Sequence, residues 1–192
     1  MSDRLGLFGY GSLVLPESAS MTLGRPVDEL RPARLHDWRR RFSQRRDNLT
    51  CEKTFECDGG WRPEWVLGLN VEEGEDEAGP VNGVVIELSE DELDRLDIRE
   101  IRYDRVEVSE SVAGEDLPRR IVTYKAKDFH FAPEPPDDAV ILRTYAEAVE
   151  RGFEGLGPGE LEHYRATTPY PVDRVEATLV IDRIPAGNPR EW

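Results

Sequence analysis

The chain has 192 residues, 38% of them hydrophobic, enough for one sizeable core and too few for two ordinary domains, so a single domain over 1–192 is expected. A formal net charge of −15 repels phosphate backbones and anionic lipid, and no apolar run approaches the roughly 18 residues of a membrane span. Nucleic acid and membrane are therefore not expected as partners, and the absence of a signal-peptide pattern behind Met1 makes a cytoplasmic location the expectation.

Arg4 to Phe8 reads as a short buried strand and Gly9 to Leu13 as the turn that leaves it. The basic run Arg39 to Arg46, interrupted by Phe42, reads as a strand edge whose arginines pair with nearby acids. Asn48-Leu49-Thr50 is an ordinary polar loop. Cys51 and Cys57 have no histidine near them in sequence, since His36, His130 and His163 are scattered singly. Structural or incidental cysteines and no metal site follow from that.

Trp65, Leu67, Leu69 and Val71 alternate as a strand, which the solvated acidic loop Glu72 to Gly79 ends. Val84 to Leu88 is dense enough for a central strand. Ser89 and Glu92 fit a capping box, opening a helix of about two turns with Leu93 and Leu96 inward. Beyond it Ile101 and Tyr103 share one parity and Val106 and Val108 the other, so a strand with a bulge near Asp104 is predicted. Glu100 stands at its mouth.

Arg120 to Lys127 reads as a further strand, and Pro135-Pro136-Asp137 as a stop and helix cap. Val140, Ile141, Tyr145, Ala148, Val149 and Phe153 then keep helical spacing until Gly152 and Gly155 break it. A short helix with Leu161 and Tyr164 follows Pro158, and a last strand runs from Val175 to Ile184. Strands outnumber helices without a strand-helix-strand rhythm, which predicts an α+β domain around a curled sheet.

The turn Phe8-Gly9-Tyr10-Gly11-Ser12-Leu13 admits few chemical readings. A dinucleotide fingerprint fails because Val14 stands where its third glycine belongs, and Pro16 comes early for a helix running straight off the turn. A hydrolase elbow fails because Tyr10 and Val14 flank Ser12 where glycines are needed. An anion nest, in which backbone amides and the Ser12 hydroxyl converge on a carboxylate, meets no objection, and neither does a plain turn.

This turn, followed by Leu93-x-x-Leu96-Asp97-x-Arg99-Glu100-x-x-Tyr103-x-Arg105-x-x-Val108, resembles the γ-glutamylcyclotransferase-like superfamily, with its ChaC-type and γ-glutamylamine members. Ala33-Arg34-Leu35-x-x-Trp38, Val81-Asn82-Gly83-Val84 and Pro135-Pro136 extend the likeness over most of the chain. The resemblance implies a small, mixed but mainly antiparallel β-barrel with flanking helices, acting on a small-molecule γ-glutamyl substrate without metal or cofactor. It implies that Tyr10, Gly11, Ser12 and Leu13 hold the substrate's α-carboxylate while Glu100 handles protons. Tyr103 and Tyr124 become candidate substrate-binding residues; Tyr124 reads equally as a packed core tyrosine, and Tyr103, with Arg99, as a brace of the site or the core.

The implied chemistry is ring closure, in which the α-amine of a γ-glutamyl amide attacks its own γ-carbonyl and releases 5-oxoproline and an amine. Moving the amine's proton to an unperturbed glutamate costs about 5 kcal/mol, so apolar Ile98, Ile101 and Tyr103 are expected to desolvate Glu100. The competing reading is a surface acid paired with Arg102 or Arg105. A binding module without turnover and an amide hydrolase are the alternatives at the level of function. Where many relatives have a tyrosine after the Pro-rich segment this chain has Val140, and the segment Arg45 to Trp65 has no counterpart in the pattern.

Overall fold

In chain order the first half forms β1 (Leu5–Gly9), α1 (Pro16–Leu23), β2 (Arg31–Leu35), β3 (Trp38–Asp47), β4 (Lys53–Glu56), β5 (Trp65–Glu73) and β6 (Val81–Leu88). The second half adds α2 (Glu90–Arg99), β7 (Tyr103–Glu107), β8 (Val112–Gly114), β9 (Arg120–Ala126), β10 (Ala139–Leu142), α3 (Arg143–Leu156), α4 (Glu160–Thr167), β11 (Arg174–Val175) and β12 (Thr178–Asp182). The computed structural model describes residues 4–28, 30–74 and 77–188, so residues 1–3 ahead of β1 and positions 75 and 76 of the acidic loop lie outside the described residues.

The apolar runs of β1 and β6 take the middle of a six-stranded sheet ordered β7-β9-β1-β6-β2-β8. A second sheet, β11-β10-β5-β3, packs across it, and β4 pairs with β12. Most ladders are antiparallel, with β1 against β9 and β10 against both β5 and β11 running parallel. Among the described residues no ladder closes on itself, since β7 and β8 are free edges of the large sheet. The fold is mixed α+β, and the expected barrel is not closed by hydrogen bonds. Side chains join the two sheets instead: Tyr103 Oη donates to Leu69 O at 2.8 Å and Ala126 N to Asn70 Oδ1 at 2.7 Å.

Several local expectations change. The helix α1 has no counterpart in the sequence reading; no α-helix runs straight off the turn, and Pro16 begins α1 after the short turn, because the first helical position needs no N–H and favours proline's fixed φ. Val140 and Ile141 lie in β10, with Val140 opposite Val66, and helical spacing serves only from Arg143. A short apolar run fits a buried strand as well as a helix turn, so periodicity alone misplaced it. No bulge interrupts β7, whose register runs evenly from Tyr103↔Ala126 to Glu107↔Val122. Ile101 precedes the strand and Val108 follows it, while within β7 Tyr103 and Val106 point to opposite faces and each is half-buried, so no bulge is needed. The last predicted strand is two, β11 and β12, belonging to different sheets, with a register shift in β12 between Leu179 and Ile181.

The capping box at Ser89 and Glu92 is present, and α2 runs for 10 residues, closer to three turns than two. Gly152 and Gly155 do not break α3, which continues to Leu156. A Cβ on Gly152 would stand 2.6 Å from Val14 Cγ2, so glycine there lets α3 cross directly over the turn that follows β1. Glu72 is buried in β5, not part of a solvated loop, accepting from Ser43 Oγ at 2.6 Å and pairing with Arg39 at 3.1 Å. Asn48 is also buried, bridging Phe55 O and Pro63 O at 2.8 and 3.0 Å, so its loop is built in.

Arg40 departs furthest from the expected solvated edge. It is fully buried, lies 4.8 Å from the Phe153 ring centre and 4.5 Å from that of Tyr164, and donates to Tyr10 O at 3.1 Å and Asn82 O at 2.8 Å. Burial pulls its pKa down to about 10, which still leaves it charged near neutrality. Its position ties the β1 turn to β6 and to the C-terminal helices.

Candidate functional site

The turn after β1 is a short 3-10 segment, Ser12–Val14, closed by Val14 N to Gly11 O at 3.0 Å and Leu15 N to Ser12 O at 3.2 Å. Those bonds leave the amides of Ser12 and Leu13 at the open N-terminal end of the segment. The turn presses hard on its surroundings. A Cβ on Gly83 of β6 would come 2.4 Å from Gly9 O, and one on Gly11 would come 3.3 Å from Tyr145 Oη.

Glu100 caps the C-terminus of α2, its N–H bonding Leu96 O at 2.8 Å. The buried Leu93 and Leu96 seat that helix, and the Ser89 capping box holds its far end. The carboxylate pairs with Arg99, which reaches on to Ser12 Oγ at 3.4 Å. Arg99 thus links the acid to the turn, and the side chains of the pair are only 6% and 17% exposed. Arg102 and Arg105, expected as surface partners, bond Glu52 and Asp97 instead. The apolar shielding assigned to Ile98 and Ile101 is absent, because both face solvent at 50% and 38% exposure. Shielding comes from tyrosines.

Tyr10 donates to Tyr124 O at 2.6 Å, Tyr103 to Leu69 O at 2.8 Å, and Tyr124 to Asp97 Oδ1 at 2.7 Å. These hydroxyls are therefore engaged with the protein, and burial pushes all three phenols up from their ordinary values. Tyr145 on α3 completes the ring, its phenol pushed up to about 12 by burial. In the sequence Tyr145 reads only as an apolar position of a helix, and Val140 as the place where a tyrosine is missing. The signal that could have found it is the phase of α3, legible once β10 is recognised as a strand.

Tyr10, Gly11, Ser12, Leu13, Glu100, Tyr103 and Tyr124 all line one chamber of about 60 Å³, together with Arg99, Tyr145 and Leu69. Ser12, Arg99, Glu100, Tyr103 and Tyr145 also line a cleft of about 520 Å³ outside it. The arrangement offers a carboxylate beside backbone amides, inside aromatic walls, at the inner end of an apolar groove. Among the described residues no group of three or more His, Cys, Asp or Glu is placed to hold a metal ion, and no helix is long and apolar enough to cross a membrane.

Residues 7–144 match the profile of the family described as gamma-glutamyl cyclotransferase, AIG2-like. A solved structure described as a gamma-glutamyl cyclotransferase superposes with a TM-score of 0.59 at 20% identity, over 88% of this chain and 90% of its own. An uncharacterised Homo sapiens protein gives 0.59 at 20% identity over 89% and 92%. The Bacillus subtilis protein YkqA gives 0.56 at 18% identity over 84% of this chain, which spans 52% of YkqA's length. At such identities the likeness speaks for the fold. No curated protein matches the chain.

Proposed function

This chain belongs to the γ-glutamyl cyclotransferase, AIG2-like, family, and we propose that it cleaves a γ-glutamyl amide by ring closure, with Glu100 carrying the proton. The substrate's α-amine nitrogen attacks the γ-carbonyl carbon and the amide C–N bond breaks. The proton given up by the amine ends on the departing nitrogen, leaving 5-oxoproline and a free amine. Nucleophile, electrophile and leaving group all belong to the substrate, so the reading needs neither metal nor cofactor. It has the protein acting on a small molecule in the cytoplasm.

The protein's task is then geometric, since the substrate must be held folded on itself. Orientation of that kind can lower a barrier by up to roughly 7–11 kcal/mol. In this reading the Tyr10 to Leu13 turn grips the α-carboxylate through backbone amides and the Ser12 hydroxyl. Arg99 positions Glu100 and keeps its carboxylate directed at the chamber. Tyr103, Tyr124 and Tyr145 exclude water. The observation that carries the reading is the shared chamber, in which a turn and an acid far apart in sequence stand together with Arg99 reaching both.

The test is a panel of γ-glutamyl amino acids, peptides and amines, followed by mass spectrometry for both products. Equal amounts of 5-oxoproline and amine are expected, and Glu100→Gln should cut kcat at least about a hundredfold while remaining folded at the assay temperature, with a lower melting midpoint because Arg99 loses its buried partner. A Glu100→Gln variant within about tenfold of wild type would remove Glu100 from the role. Glutamate in place of 5-oxoproline would make the protein a hydrolase, and binding without any product would make it a binding module.

A further inference from the structure

The cleft outside the chamber contains a charge that ring closure does not use. Gln44 and Arg46 are two residues apart on β3, so their side chains share one face of the sheet, about 7 Å apart along the strand. Gln44 reaches the chamber wall, with Oε1 3.4 Å from Tyr103 Oη, and Arg46 lines the cleft beyond it. Arg46 Nε and Nη2 are shielded from solvent and make no hydrogen bond, while the guanidinium lies 5.0 Å from the centre of the Phe55 ring.

The two neighbouring arginines of the cleft are paired with acids. Arg99 pairs with Glu100, and Arg102 with Glu52 at 2.5 Å. Glu17 sits exposed at the rim. Among the described residues lining the cleft, Arg46 presents both Nε and Nη2 unused, whereas Arg99 leaves only Nε and is paired with Glu100; Nε with Nη2 is the edge of a guanidinium that grips a carboxylate through two parallel bonds. Leaving such donors buried and idle is costly, and burial accordingly pulls the Arg46 pKa below its ordinary value. The walls around it are apolar, with Leu15, Val66, Leu67, Leu142 and Leu179 among them.

We infer that Arg46 recognises a carboxylate on the leaving group, and that the preferred substrate is a γ-glutamyl derivative whose departing amine carries both that carboxylate and an apolar side chain. The inference rests on the proposed cyclotransferase reading for the orientation of the substrate, with its γ-glutamyl half in the chamber and its leaving half in the cleft. An amine without a carboxylate would occupy the same walls and leave Arg46 unpaired. The carboxylate makes the difference between the two, because removing a charged hydrogen-bond partner from a buried site is worth about tenfold to a hundredfold in affinity.

The test compares γ-glutamyl-leucine with γ-glutamyl-isopentylamide, which has the same side chain and no carboxylate. Wild type should prefer the leucine compound in kcat/KM by about tenfold to a hundredfold, and Arg46→Met, which keeps bulk and loses charge, should bring the ratio close to one. Calorimetric titration of both compounds into Glu100→Gln and Glu100→Gln/Arg46→Met reads the same preference without turnover. If neither compound yields 5-oxoproline yet the leucine compound binds more tightly in an Arg46-dependent way, the cyclotransferase reading fails and the Arg46 assignment stands. If both are turned over with one ratio in wild type and variant, the Arg46 assignment is overturned and the activity stands. Should Arg46→Met not fold, Arg46→Gln takes its place, and wild-type indifference to the carboxylate overturns the inference on its own.

Discussion

Gly11 and Ser12 show how little room the turn leaves. A Cβ on Gly11 already meets Tyr145 Oη at 3.3 Å and Leu69 Cδ1 at 3.5 Å, so the branched side chain of Gly11→Val would fill the space a carboxylate needs. That variant should lose measurable binding of 5-oxoproline by calorimetric titration, while Ser12→Ala should weaken it about tenfold to a hundredfold. Unchanged affinity in folded variants would reduce the turn to a plain connection. Tyr145→Phe keeps the ring and removes the hydroxyl facing Gly11, so turnover should fall while the melting temperature holds. Burial pushes that phenol up to about 12, so it stays protonated at lower pH and contributes no alkaline decline to the wild-type rate profile in that range. An alkaline loss of rate near neutrality that disappears in Tyr145→Phe would contradict this.

Among the elements, α3 is the one whose placement shapes the site, because it crosses the turn at Gly152 and brings in Tyr145. A methyl at Gly152 would meet Val14 Cγ2 at 2.6 Å and Leu15 N at 3.0 Å, and a backbone atom cannot rotate away. Gly152→Ala should therefore cost about 1–3 kcal/mol. Thermal melting and steady-state kinetics should show a lower midpoint together with a raised KM, since the displaced residues belong to the turn. A lower midpoint with unaltered KM would mean that the turn and α3 are mechanically independent. In contrast, α2 gains its order locally from the Ser89 and Glu92 capping box, which explains why Glu100 stands in a defined place at its other end.

Across the molecule, a chain of polar contacts runs from the surface to the turn. Glu160 accepts from Arg34 at 2.6 Å and from Asn82 Nδ2 at 2.8 Å, Asn82 O accepts from Arg40, and Arg40 donates to Tyr10 O. Partial burial pushes the Glu160 carboxyl up, but the bonds from Arg34 and Asn82 outweigh it and hold the pKa below its ordinary value. A carboxylate with a depressed folded value contributes stability above its unfolded value and loses it as pH falls through the folded one. Glu160→Gln should thus be less stable than wild type at neutral pH, with the difference closing as pH falls below about 4.3. Urea midpoints of both proteins across that range provide the check, and a pH-independent difference would show that the charge is immaterial.

The capping box, the alternation of β5, the density of β6 and the paired motifs around Gly11 and Glu100 were legible in the sequence, because each depends on neighbours a few residues apart. What lay beyond it were pairings between distant segments. Glu100 could have met Arg102 or Arg105, and only the end of α2 against the β1 turn selects Arg99. Val140 and Ile141 fit helix or strand equally until β5 supplies a partner, and the position of Tyr145 follows from that choice. Arg40 and Arg46 look alike in one basic run, yet one is satisfied by carbonyls of β6 and the turn while the other is left with idle donors over a cleft. The difference is one of burial and partners, and for a long charged side chain both are decided by whichever elements pack over it.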